Sequence, residues 1–151
     1  MLREAFVEQL KTAMRARDSR TVSTVRLIIA ALKDRDIAAR GSGNQQGIPE
    51  LEIQRLLQSM VKQRRESIAL YRQGNRPELA QQEEEEIGII ESFLPKQMED
   101  AEIAAAVKAA IAETGATGIK DMGKVMSVLR DRHPGVIDMA RAGAVVKQQL
   151  G

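Results

Sequence analysis

Apolar residues in this chain recur at three- and four-residue steps and almost nowhere at alternate positions. Leu2, Phe6, Leu10, Ala13 and Met14 share one face of a first helix, expected to stop near Arg17. Asp18 or Ser19 can cap a second helix, whose Val22, Val25, Ile29 and Leu32 repeat at helical spacing. The polar, glycine-rich stretch from Arg40 to Gly47 reads as a mobile loop. Pro49 suits the opening turn of a third helix, where its missing N–H costs nothing.

The third helix carries Leu57, Met60, Val61, Ile68 and Tyr71 and is expected to stop at Gly74. A fourth restarts at Asn75-Arg76-Pro77 and carries Leu79, Ile87 and Ile90. So short a turn predicts antiparallel neighbours, an αα-hairpin. Leu94-Pro95 breaks the chain, because the residue before a proline avoids the α region. Three short helices follow, over about 99–113, about 119–131, and from a cap at Asp138 onward. Gly115 and His133-Pro134-Gly135 supply the stops between them. The pattern predicts an all-α chain with an N-terminal helical domain over 1–95. A small three-helix C-terminal domain over 96–151 completes it.

Composition limits what such helices can do. With no Cys, disulfides, thiolate metal sites and thiol nucleophiles are excluded, and the single His133 cannot build a His-rich metal site. The aromatics are Phe6, Tyr71 and Phe93, too few for platforms that stack single-stranded bases. The longest apolar run, Leu27 to Leu32, falls far short of a membrane span of ~20 residues. Residues 1–15 lack a signal-peptide layout, so a cytoplasmic chain without membrane attachment is expected.

Charge adds a pattern that the net +2 conceals. Residues 1–40 carry a net +4, and residues 62–76 another +4 through Lys62, Arg64, Arg65, Arg72 and Arg76. Residues 78–91 carry only acids, Glu78, Glu83 to Glu86 and Glu91. A turn at Asn75 would set Arg65 opposite Glu86 and Lys62 near Glu91. The basic stretch is then either ion-paired across the hairpin or kept free for a polyanion. Four consecutive glutamates spread around a helix and do not converge on one metal ion.

Gly118 to Val125 has the glycine and lysine spacing of a phosphate-binding P-loop. Val125 stands where a hydroxyl should hold magnesium, however, and a helix rather than a strand precedes the motif. Gly123 is expected to admit a closely packed helix. Lys120 and Lys124, four apart, share one exposed edge. His133 reads as a helix-end residue, and no nucleophile with a base, and no cofactor motif, can be assembled.

The run from Lys62 to Ser67, Tyr71 to Arg76, Glu83 through Phe93-Leu94-Pro95, Lys120 to Met126, and Val146-Lys147 with Leu150 resembles the YqeY family. The resemblance covers essentially the whole chain in order. It implies that the C-terminal part is similar to the tail domain of the B subunit of the tRNA-dependent amidotransferase, an RNA-contacting appendage. Family members are often labelled carbon–nitrogen ligases with glutamine as amido-N-donor, by homology. This chain has no segment to bind ATP or release ammonia, so the resemblance implies a non-catalytic accessory protein without cofactor or metal. Its partner would be tRNA or another folded RNA, met by Lys120, Lys124, Arg130 and Arg132. Lys62, Arg64, Arg65, Arg72 and Arg76 would add secondary contacts. The alternative is an adaptor that docks on a tRNA synthetase or amidotransferase without touching RNA.

Overall fold

A computed structural model describes all residues, 1–151. The chain is all-helical: α1 Leu2–Arg15, α2 Ser19–Gly41, α3 Glu50–Gln73, α4 Pro77–Glu91, α5 Asp100–Thr114, α6 Met122–Arg132 and α7 Met139–Leu150. A single 3-10 turn, Ile119–Asp121, leads into α6. The chain divides into two compact units, Met1–Leu94 and Pro95–Gly151.

In the first unit α2 packs on α1 and α4, and α3 packs on α4. Phe6, Val25, Ile28, Ile53, Leu57 and Ile90 are almost wholly buried there. Each such side chain stabilises by about 1.5–3 kcal/mol, so the apolar stripes themselves account for the assembly. Phe6 meets Phe93 edge to face at 4.9 Å between ring centroids. Two of the three aromatics are thus core residues of this unit.

Helix ends explain where the boundaries fall. Asp18 caps α2, accepting from the Thr21 N–H at 3.2 Å and from the Thr21 hydroxyl at 2.6 Å. The helix α1 stops at Arg15, slightly before the expected Arg17, because Arg17 itself turns left-handed at φ 57°. The Asp18 N–H then reaches back to the Ala13 carbonyl. The end of α3 repeats this closure with Asn75 at φ 57° and the Arg76 N–H on the Tyr71 carbonyl at 2.7 Å. The helix ends at Gly74 as expected; Gly74 keeps an ordinary φ of −83°, and the left-handed residue is its neighbour Asn75.

The glycine-rich stretch after α2, expected to be a mobile loop, carries its own bonds. Asn44 donates to the Gly47 carbonyl at 2.9 Å and accepts from the Gln46 N–H at 3.0 Å. The Ile48 N–H then binds Asp36 Oδ1 at 2.9 Å.

In the second unit Ile103, Val107, Val125, Leu129, Ile137, Ala142 and Val146 form one core among α5, α6 and α7. Gly115 closes α5 at φ 66°, and Asp138 caps α7 through the Ala140 and Arg141 N–H groups. Gly143 is buried against Met122 and Met126, whose terminal carbons would lie 3.5 and 3.6 Å from an added Cβ. Gly123 is exposed with nothing near its Cβ position. The close helix approach expected at Gly123 therefore belongs to Gly143, since Gly123 faces away from the core.

Candidate nucleic-acid interface

The local structure around Lys120 and Lys124 is set by Asp121. Its Oδ2 accepts the Thr117 N–H at 3.1 Å, closing the turn that leads into α6. That bond holds the Asp121 carboxyl below its usual range against a desolvation penalty, with Lys124 and Lys120 adding to the lowering. Both lysines are exposed, and Asp121 draws part of their field.

Helical geometry sorts the remaining cations. Val125 and Leu129 point α6 into the core, so Lys124 and Asp131 share its opposite, exposed side. Arg130 flanks that side and is exposed. Arg132 lies on the other flank and binds Glu113 of α5. Lys120 and Lys124 are thus accompanied by two acids, Asp121 and Asp131, while Arg130 lies about 120° around α6 from Lys124. Arg132 stands apart from them.

The motif at Gly118–Val125 is no phosphate cradle. Gly118 is extended, a 3-10 turn follows, and Val125, in the magnesium-ligand position, is fully buried.

The hairpin cations are largely spent on α4. Arg64 Nε donates to Glu86 at 3.0 Å and lies 3.8 Å from Glu83, while its Nη1 donates to the Met60 carbonyl at 3.3 Å. Arg65 pairs with Glu91 at 3.4 Å, and Arg72 pairs with Glu84. Arg65 thus meets Glu91 rather than the expected Glu86, which Arg64 takes from its more buried position. Lys62 and Arg76 are exposed and make no such pair. Glu85 turns to Arg20 of α2 at 3.2 Å, so the four consecutive glutamates serve three arginines on two helices, α2 and α3, rather than one point.

Burial and the nearby Glu86 raise the carboxyl of Glu83, while Arg64 counteracts them. The cluster is a half-buried structural contact in which one guanidinium serves two carboxylates. His133 lines a shallow cleft of about 490 Å³ between α5 and α6, whose walls include Met98, Ala105, Ala109 and Val128.

Comparison with known proteins identifies relatives of this chain. The mitochondrial protein named altered inheritance of mitochondria protein 41 of Lachancea thermotolerans is 32% identical over 87 residues, covering 58% of this chain and 44% of its own length. Its counterpart in Meyerozyma guilliermondii is 40% identical over 85 residues, covering 56% and 42%. That of Vanderwaltozyma polyspora is 30% identical over 87 residues, covering 58% and 45%. The chain thus spans less than half the length of these curated relatives. All are named as mitochondrial, which overturns the cytoplasmic expectation. The physical reason is plain: a Cys-free helical composition fits any reducing compartment and does not separate cytosol from organelle. The pattern described as Yqey-like protein matches residues 3–150, and the chain belongs to that family.

Proposed function

We propose that this chain is a non-catalytic RNA-binding accessory protein, directed at tRNA or another folded RNA. The carrying observation is the exposure of Lys120 and Lys124 at the start of α6, with Arg130 exposed on a flank of the same helix. The likeness of the second unit to the amidotransferase tail supports the same reading. Phosphate contacts need charge and donors but no aromatic surface, and the second unit has no aromatic residue. Recognition would then follow the shape of folded RNA with little reading of bases. In this reading amide transfer is carried out by other proteins.

The test is binding of the full chain to purified tRNA across a salt series. Affinity should fall steeply with salt, and Lys120→Ala with Lys124→Ala should reduce the log–log slope by about 1.5. Absence of binding at low salt, or a slope untouched by the double substitution, removes the reading. A protein partner retained after nuclease treatment, without RNA binding, would favour the adaptor instead.

A further inference from the structure

Arg26, Lys33 and Arg40 follow one another at seven-residue steps along α2, and all are exposed. Seven residues fall about 20° short of two full turns, so the three keep to one side of the helix. They stand about 10 Å apart in a row about 21 Å long. That side lies roughly opposite Thr24 and Ile28, with Val25 and Leu32 about 80–100° around the helix, and all four are buried in the first unit. A spacing of about 10 Å matches the screening length at 0.1 M salt, so the three fields merge into one stripe.

Two of the acids that could quench this stripe are engaged elsewhere. Asp18 is the cap of α2. Asp36 is held by Arg3 and by the Ile48 N–H, and Arg40 reaches it only at longer range. Asp34 is exposed at the edge of the same side, about 80° around the helix from Arg26. The hairpin arginines are instead neutralised by α4, and the α6 patch is interrupted by Asp121 and Asp131. The row on α2 is thus the less compensated of the cationic surfaces.

We propose that Arg26, Lys33 and Arg40 form a second phosphate-backbone contact for folded RNA, on the first unit. The class of ligand rests on the RNA-binding reading above; the placement rests on α2 alone. A straight row of point charges fits a polyphosphate strand. A membrane surface is a poorer match, because the apolar face of α2 is buried and its exposed side offers only Ile37 and Leu27 as large apolar groups.

The experiment compares the full chain with Arg26→Gln/Lys33→Gln/Arg40→Gln and, separately, with Lys120→Gln/Lys124→Gln. Each is titrated with bulk tRNA across a salt series and with phosphatidylcholine vesicles with and without phosphatidylglycerol. The triple variant should bind tRNA more weakly, with the log–log salt slope reduced by about 2. Arg26→Lys with Arg40→Lys, which keeps the charge, should retain the full slope and controls for folding. A triple variant with unchanged slope beside a weakened Lys120/Lys124 variant overturns the α2 contact and leaves the first reading standing. Weakening by the triple variant alone supports the α2 contact and removes the α6 patch. Loss of vesicle binding without loss of tRNA binding overturns the α2 proposal, and no tRNA binding by the unaltered chain at low salt overturns both.

Discussion

Arg3 grips Asp36 through two parallel bonds, Nη1 to Oδ2 at 2.7 Å and Nη2 to Oδ1 at 2.9 Å. The same Nη2 donates to the Ile48 carbonyl at 3.0 Å, while the Ile48 N–H donates to Asp36 at 2.9 Å. One ion pair therefore joins α1, α2 and the segment entering α3. The Arg3 hydrogen bonds, outweighing a desolvation penalty and helped by the Ile48 N–H, lower the Asp36 carboxyl from 3.8 to about 2.

Asp36→Asn keeps the shape but removes the charge and leaves Arg3 unpaired. At neutral pH it should cost about 2 kcal/mol, the scale of a hydrogen bond to a charged group. Because the folded-state value is depressed, the contribution is complete above the unfolded value of 3.8 and fades as pH falls towards about 2. Urea titrations of both proteins should therefore show a gap that narrows across that window. A gap independent of pH would show that the charge on Asp36 is not what stabilises the junction.

Gly47 makes the same junction possible. It sits at φ +89°, and a Cβ there would lie 2.7 Å from Asp36 Oδ1 and 2.8 Å from Arg3 Nη2. Gly43 has a similar φ of +94° with nothing near. Gly43→Ala should thus carry only backbone strain of about 1 kcal/mol, and Gly47→Ala should cost more because the ion pair must also open. Equal denaturation midpoints for the two variants would refute this difference.

How far these features could be read from the chain varies by type. The helices were legible because Phe6, Val25, Leu57, Val107 and Val125 recur at a helical period and are the residues that become buried. The Asp18 and Asp138 caps were legible because capping depends on a few adjacent residues. The turn at Asn75 was legible because asparagine tolerates the left-handed region, whereas the same conformation at Arg17 was not, since arginine has no such preference.

The candidate interface was only half legible, for a similar reason. Spacing placed Lys120 and Lys124 on one edge, but it could not tell that Arg132 would turn to Glu113 or that Arg64 would sink between Glu83 and Glu86. Those outcomes depend on which residue a neighbouring helix presents. The surplus charge of residues 1–40 was visible as a total, and its order became readable only once Arg3 and Arg20 were seen to be engaged.

The Arg64 cluster yields a prediction of opposite pH sign. Glu83 is raised by burial and by Glu86. A carboxyl whose folded-state value is raised costs stability when ionised and relieves that cost as pH falls through the folded value. Arg64→Ala leaves two half-buried carboxylates facing each other and should destabilise by about 3 kcal/mol at pH 7.5. The loss should shrink when the pH is lowered to 5, because the raised Glu83 carboxyl is then more readily protonated. Thermal or urea unfolding at the two pH values decides the point, and a loss that grows on acidification would contradict it.

Gly143 and Gly123, two of the glycines of the second unit, should respond to enlargement in a graded way. Gly143 lies within α7 at ordinary contact distance from Met122 and Met126. Alanine fits that space and removes the helical penalty of glycine, so Gly143→Ala should stabilise by about 0.5–1 kcal/mol. Gly143→Leu must displace both methionines and should destabilise by about 1–3 kcal/mol. Gly123 is exposed in α6 with open space at its Cβ position, so Gly123→Ala should stabilise by about 1 kcal/mol. Urea midpoints of the full chain would rank the three. If Gly123→Ala destabilised while Gly143→Leu did not, the close contact would belong at Gly123 after all, and the packing of α6 on α7 would need a different register.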